Sequence, residues 1–211
     1  MSNSANPSKL YPLTNAQRRI WYMEKMHTDN CEVNISFSVR YKGEVDFKLL
    51  SKAINIVVKT NDGLRLRMTE IEQDTGRETM QYLSECEELN LDYFDFSGKD
   101  GEKKLKEWID VQTQTRFNFE EDRLFYFALL RYEGGETGYF VKTHHIISDG
   151  WTLFLLINEI DETYKKLLRG EKVDESPRAS YLEYIKDEKK YLDSEQFEED
   201  RKYWLEQMFP L

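Results

Sequence analysis

Residues 124–132 and 139–144 read LFYFALLRY and YFVKTH, two apolar runs separated by EGGETG. Near-continuous apolar runs joined by a Gly-rich turn predict a β-hairpin buried on both faces. Other elements must then cover each side of it, and the remaining periodicities supply them. Thr14 is placed to cap a helix through Ile20, Trp21 and Met26, with Asn15, Gln17 and Arg18 toward its outer or functional side. Ile35, Phe37, Val39 and Tyr41 alternate with Ser36, Ser38 and Arg40, the period-2 pattern of a half-buried strand over 34–41. Past Gly43, Asp46 stands before Phe47, Leu50, Ile54 and Val57, spaced for one face of a helix that ends near 61–63. Leu64, Leu66 and Met68 alternate with Arg65, Arg67 and Thr69, so a strand follows, and the DTG turn at 74–76 leads to a partner around 80–83. A weaker acidic helix is expected over 102–115. Leu153, Leu156, Ile157, Ile160, Tyr164 and Leu167 form a helical stripe closed by Gly170, and two charged, aromatic-studded helices occupy about 178–192 and 194–207. The class is therefore α/β, a sandwich with helices packed on a mixed, mostly central sheet. Strand order does not follow from the pattern.

With 211 residues and no internal repeat, one compact lobe is expected. The 40 acids outnumber 30 Lys and Arg, for a net charge of −10, and they gather near 85–95, 119–122 and 183–200. No basic stripe opposes them, which argues against a nucleic-acid partner. No apolar run approaches the length of a membrane span. Cys31 and Cys86 form no CxxC, and MSNSANPSKLYPL does not resemble a secretory signal. A cytoplasmic protein with reduced, structural thiols is expected.

The chain has three histidines, and two of them fall side by side in THHIISDGWT at 143–152. Neighbouring side chains on a strand point to opposite faces, so His144 and His145 cannot both enter one cleft. One ring is expected to be structural and the other to stand where strand gives way to loop, the usual place for chemistry. A metal site needs about three convergent ligands, and the remaining histidine, His27, lies in an unrelated helical context, so no metal is expected. Trp21, Trp151 and the aromatic-rich run 124–127 are expected in the core. Ser148 has no base beside it except the histidines and is assigned no nucleophilic role.

HHIISDG at 144–150 fits the HHxxxDG signature of the condensation domains of nonribosomal peptide synthetases, whose fold resembles two chloramphenicol-acetyltransferase-like lobes. YPLTNAQRRIWYMEK at 11–25 resembles that family's opening S-x-A-Q-x-R-[LM]-W segment through Thr14, Ala16, Gln17, Arg19, Ile20 and Trp21. NDGLRLRM at 61–68 resembles H-E-x-L-R-T-x-F, keeping Leu64 and Arg65 but carrying Asn61, Asp62, Leu66 and Met68 in place of histidine, glutamate, threonine and phenylalanine. SYLEYIKDE at 180–188 resembles Y-x-D-[FY], with Glu183 for aspartate. Order and spacing agree across nearly the whole chain. The chain stops at Leu211, about where the first of the two lobes would end, so the resemblance implies the N-terminal lobe of a condensation domain over 1–211.

The resemblance implies a reaction. An acyl or peptidyl thioester on one phosphopantetheine arm is joined to the amine of an aminoacyl thioester on another. His145 is implied as the catalytic residue, accepting the amine proton or orienting the amine; an unperturbed imidazole titrates at roughly 6.5, which suits either task. His144, Asp149, Gly150 and Arg65 are implied as structural support: Gly150 through a backbone conformation that other residues resist, and Asp149 through a buried ion pair with Arg65 that pins the loop. The implied partners are donor and acceptor carrier proteins and the second lobe, with acyl-CoA as donor if the domain is of starter type. The lobe itself binds no cofactor on this reading, and alone it should be inactive. An epimerization-domain lobe and a non-catalytic carrier-docking lobe are the alternatives.

Overall fold

In a computed structural model, residues 9–26, 33–74, 76–119 and 123–208 are described. Strand β1 (Tyr11–Pro12) leads into helix α1 (Asn15–Met26), strand β2 (Asn34–Tyr41) and helix α2 (Phe47–Thr60). A 3-10 turn at Asp62–Arg65 precedes strands β3 (Leu66–Gln73), β4 (Gly76–Leu83) and β5 (Asp92–Asp95), then helix α3 (Gly101–Gln114). Strands β6 (Phe125–Arg131) and β7 (Thr137–His144) are followed by helices α4 (Gly150–Leu168), α5 (Tyr181–Leu192) and α6 (Glu195–Met208). His27 and Cys31 lie outside the described residues, as does Thr75 of the DTG turn. Cys86 is a free, exposed thiol rather than a core one.

The α/β class is as expected, and the strands fall into two sheets. One has three strands in the order β1-β4-β3, and the other four in the order β2-β7-β6-β5. In the larger sheet β7 pairs antiparallel with both its hairpin partner β6 and the distant β2, while β5 joins the far side of β6 in parallel. The hairpin is covered twice. Phe125, Phe127, Leu129, Tyr139 and Val141 face the main core with Leu50, Ile54 and Val57 of α2 and Leu153, Leu156 and Ile160 of α4. The alternate residues Ala128, Leu130, Tyr132 and Phe140 face Leu105 and Trp108 of α3. Burying each large apolar side chain of this kind stabilises the fold by about 1.5–3 kcal/mol, against which stands the entropy lost in ordering it.

Local chemistry sets the element ends. Asp46 accepts hydrogen bonds from the Lys48 and Leu49 amides at 2.8 and 3.1 Å and so starts α2. Gly170 closes α4 at φ +68°, its N–H reaching Leu167 O at 3.0 Å. Gly138 has a different reason to be glycine. It pairs with Arg40 across the β2–β7 ladder, where an added Cβ would sit 1.9 Å from Val39 O. The two backbones approach too closely there for any side chain.

Gln17, expected on the outer or functional side of α1, is only 2% exposed and so is not on the outer one. Trp151, expected in the core, is 67% exposed and stacks on Phe154 at 5.5 Å. Trp21 is buried as expected, with its ring edge-on to Phe119 at 4.9 Å. Among the described residues no helix is long and apolar enough to cross a membrane.

Candidate functional site

Strand β7 is buried along its whole length and ends at His144, so its last ring enters the core while the next side chain, at the first position past the strand, turns out. His144 is 1% exposed. Its ring stands edge-on to Phe119 at 4.8 Å and Phe117 at 6.3 Å, and Nδ1 accepts a hydrogen bond from the Ile146 N–H at 3.0 Å. That bond fixes the neutral tautomer with the proton on Nε2. Glu24 Oε2 lies 3.7 Å from Nε2, beyond hydrogen-bond reach, and neither atom has a hydrogen-bond partner among the described residues. Glu24 Oε1 instead accepts from Arg116 at 2.7 Å. Burial, with the nearby His145 and Arg116 adding to it, pushes the His144 pKa down to about 3. The ring is buried and held neutral.

His145 is held by its backbone. Its N–H donates to Val33 O at 2.7 Å, and its ring is exposed and makes no hydrogen bond among the described residues. The loop beyond it is clamped at several points. Ile146 and Ile147 are buried, Ile147 N–H reaches His144 O at 3.1 Å, and the Ser148 hydroxyl lies 2.6 Å from that of Thr143. The Ser148 hydroxyl also donates to His144 O at 3.2 Å, so it is tied into the turn. Ile146 O accepts from Gln17 Nε2 at 3.2 Å. Gln17 Nε2 and Oε1 also exchange two hydrogen bonds with the side-chain amide of Gln81 at 2.9 and 2.7 Å, and Oε1 accepts from the Thr14 N–H at 3.0 Å. Gln17 is one of the matched motif positions of the 11–25 segment, which is the signal by which sequence marks it. Glu24, in the same segment, matches no motif position, and Gln81 lies in no such segment.

Three expected supports need correction. Asp149 and Arg65 form no ion pair among the described residues. Asp149 is the N-cap of α4, and its Oδ1 accepts from both the N–H and the hydroxyl of Thr152 at 2.7 Å, which lower its pKa. Arg65 ends the 3-10 turn and donates from Nη1 to Ser84 O at 3.0 Å, with Nε buried and without a partner among the described residues. Exposed helix capping satisfies Asp149 locally, so no distant cation is needed to hold it. Gly150 is the first residue of α4, has no positive φ, and would meet nothing within 4 Å on gaining a Cβ. Its backbone is one that any residue adopts at a helix start.

Among the described residues no group of three or more His, Cys, Asp or Glu side chains is placed to hold a metal. What the arrangement offers for chemistry is an exposed imidazole on a hydrogen-bonded backbone, a few residues before the exposed Trp151 and Phe154 of α4.

A family model described as Condensation domain matches residues 8–209. One of the plipastatin synthase subunits of Bacillus subtilis (strain 168) is 34% identical over 196 residues, covering 93% of this chain and 8% of that protein. Surfactin synthase subunit 1 of the same organism is 29% identical over 200 residues, 93% of this chain and 6% of that protein. Among solved structures, the starter condensation domain of rhizomide synthetase RzmA superposes with a TM-score of 0.85 at 24% identity, covering 96% of this chain and 48% of that one. The first condensation domain of the calcium-dependent antibiotic synthetase gives 0.81, also at 24% identity, over 94% and 47%. The chain therefore spans about half of the solved domains and under a tenth of these curated relatives.

Proposed function

The chain belongs to the condensation-domain family, and from that premise we propose that it is the histidine-bearing N-terminal lobe, residues 1–211, of a domain that forms amide bonds in nonribosomal peptide synthesis. The observation that carries the reading is the division of labour in HHIISDG: His144 is buried and neutral, and His145 is exposed on a fixed backbone. In the reaction the acceptor amine attacks the thioester carbonyl, the C–N bond forms, the C–S bond breaks, and the thiol leaves with the proton the amine gives up. His145 takes that proton or orients the amine that bears it. His144 holds the turn behind it, and Asp149 starts the helix that follows.

The substrates arrive on the phosphopantetheine arms of donor and acceptor carrier proteins, and the lobe has no resident cofactor. The RzmA starter domain has been solved with C8-CoA, which supports an acyl-CoA or carrier-bound acyl thioester as donor. A second lobe supplies the other wall of the site. The exposed Trp151, Phe154 and Leu155 beside the histidine loop are apolar surface of the kind such a wall covers. The absence of any membrane-spanning helix among the described residues fits a cytoplasmic location.

The test is amide formation by the full-length synthetase that carries this sequence. His145→Ala should lose about 100- to 10,000-fold in rate, with the melting temperature within a few degrees of the parent. His144→Ala should lower the melting temperature instead. Full turnover by the His145→Ala enzyme overturns the catalytic reading in favour of a carrier-docking lobe. The 211-residue chain alone should form no amide, because positioning between two walls accounts for about 7–11 kcal/mol of barrier reduction in well-oriented systems.

A further inference from the structure

We propose that the Gln17–Gln81 amide pair is a positioning device for His145, acting through the carbonyl of Ile146. This rests on the reading of His145 as the reacting histidine. The His145 ring has no hydrogen bond of its own among the described residues, so its place is set by the backbone on either side. On one side the His145 N–H is fixed to Val33 O at 2.7 Å. On the other, Ile146 O is held by Gln17 Nε2 at 3.2 Å.

Gln17 is suited to this because its amide is fully used. Both Nε2 hydrogens and both Oε1 lone pairs are engaged, by Ile146 O, Gln81 Oε1, Gln81 Nε2 and the Thr14 N–H. Gln81, itself fully buried, adds a bond from Nε2 to Pro12 O at 2.8 Å. The reciprocal pair therefore ties the histidine loop to β1 and β4 of the smaller sheet, which otherwise takes no part in the site. A buried network with every member satisfied has one geometry, since any rotation of either amide leaves a donor or acceptor unpaired. A loop that drifts by about 1 Å costs on the order of 100-fold in rate when the group it carries must meet a reacting atom.

The experiment compares kcat and KM for amide formation in the full-length synthetase carrying Gln17→Met, Gln81→Met, His145→Ala, and each glutamine variant combined with His145→Ala. Methionine keeps the volume and removes the hydrogen bonds. Each single glutamine variant should lose about 10- to 100-fold in kcat with KM for both carriers unchanged. In the His145→Ala background neither should cause any further loss. In parallel, the His145 Cε1–H resonance of this chain, identified by its disappearance in His145→Ala, should shift or broaden in both variants. Activity independent of His145 would defeat the functional reading itself. Dependence on His145 with parental kcat and an unmoved resonance in the glutamine variants would defeat only the positioning role. If Gln17→Met does not fold, Gln81→Met decides, because its amide reaches the loop only through Gln17. Failure of both to fold, or further loss in the His145→Ala background, also overturns the proposal, since the pair would then hold the fold rather than aim the ring.

Discussion

His144 gives a stability prediction in the range from pH 7 to pH 5. The ring is 1% exposed, and its pKa falls to about 3 in the folded protein, against roughly 6.5 when the chain is unfolded. Above the unfolded value both states carry a neutral ring and the group is silent. Below it the unfolded chain binds a proton that the fold refuses, so stability falls by about 1.4 kcal/mol per pH unit until the folded ring also titrates. Between pH 7 and pH 5 the loss is about 2 kcal/mol, a sizeable share of the 5–15 kcal/mol typical of a domain. Glu24 Oε2 faces the ring from 3.7 Å, outside hydrogen-bond reach, and burial is the largest of the causes that keep the ring neutral. Urea unfolding at pH 7 and pH 5, followed by the fluorescence of buried Trp21 beside Phe119, measures the drop. His144→Asn is the control, because the amide oxygen can still accept from the Ile146 N–H. The variant starts from lower stability, having lost the ring's contact with Phe119, but its pH 7 to pH 5 difference should be about 2 kcal/mol smaller than the parent's. An equal difference in parent and variant would refute the assignment of His144 as a buried neutral base.

Asp149→Ala should cost about 1 kcal/mol as the loss of a helix cap, Asp149→Asn much less, and the effect of Arg65→Ala should add to either; a coupling above about 0.5 kcal/mol in urea unfolding would restore the ion pair. The capping contribution of Asp149, whose pKa is lowered by its bonds from Thr152, should be present at neutral pH and fade as pH falls through its folded value. Gly150→Ala should leave stability unchanged or raise it by about 0.4–1 kcal/mol, and a fall in melting temperature would show that glycine is required there. Gly138→Ala should destabilise by about 1–3 kcal/mol or more, because β2 must move away from a Cβ placed 1.9 Å from Val39 O; a parental melting temperature would mean the strands part easily.

The elements that sequence announces are those whose apolar residues alternate or run unbroken, even where, as at Phe37, one of them stays exposed. The alternation of Ile35, Phe37, Val39 and Tyr41 marks β2, and the unbroken run 124–132 marks a strand that is covered on both sides. Strand β5 escapes because Asp92–Asp95 is short and charged at both ends, and it is a strand only through its parallel pairing with β6. The same is true of Tyr11–Pro12, which exists as β1 only beside β4. In the site, the strand geometry of the histidine doublet predicts which ring turns inward. Gln17 is buried although helical periodicity sets it toward the outer or functional side, because Gln81 and Ile146, remote in sequence, join the nearby Thr14 N–H in satisfying its amide. Arg65 and Asp149 are misassigned for the converse reason: resemblance pairs them, while the local capping bond to Thr152 satisfies the aspartate without help. Trp151 stays exposed because it lies off the Leu153–Leu156–Ile160 stripe of α4, on the face it shares with exposed Phe154 and Leu155.

The β2–β7 ladder pairs Asn34–Tyr41 with Thr137–His144, so each strand waits for a partner roughly a hundred residues away in sequence. During synthesis at about 5–20 residues per second, β2 leaves the ribosome some 5–20 s before β7 exists to receive it. For that interval NISFSVRY is an unpaired strand with an apolar face and open backbone groups on both edges. Helix α2, whose cap and stripe are local, can form at once, but its own apolar face also waits, because α4 and the hairpin are made later still. Within the larger sheet the first-made strand thus has the last-made one as its only partner, and the bond from His145 N–H to Val33 O, just ahead of β2, depends on that late pairing.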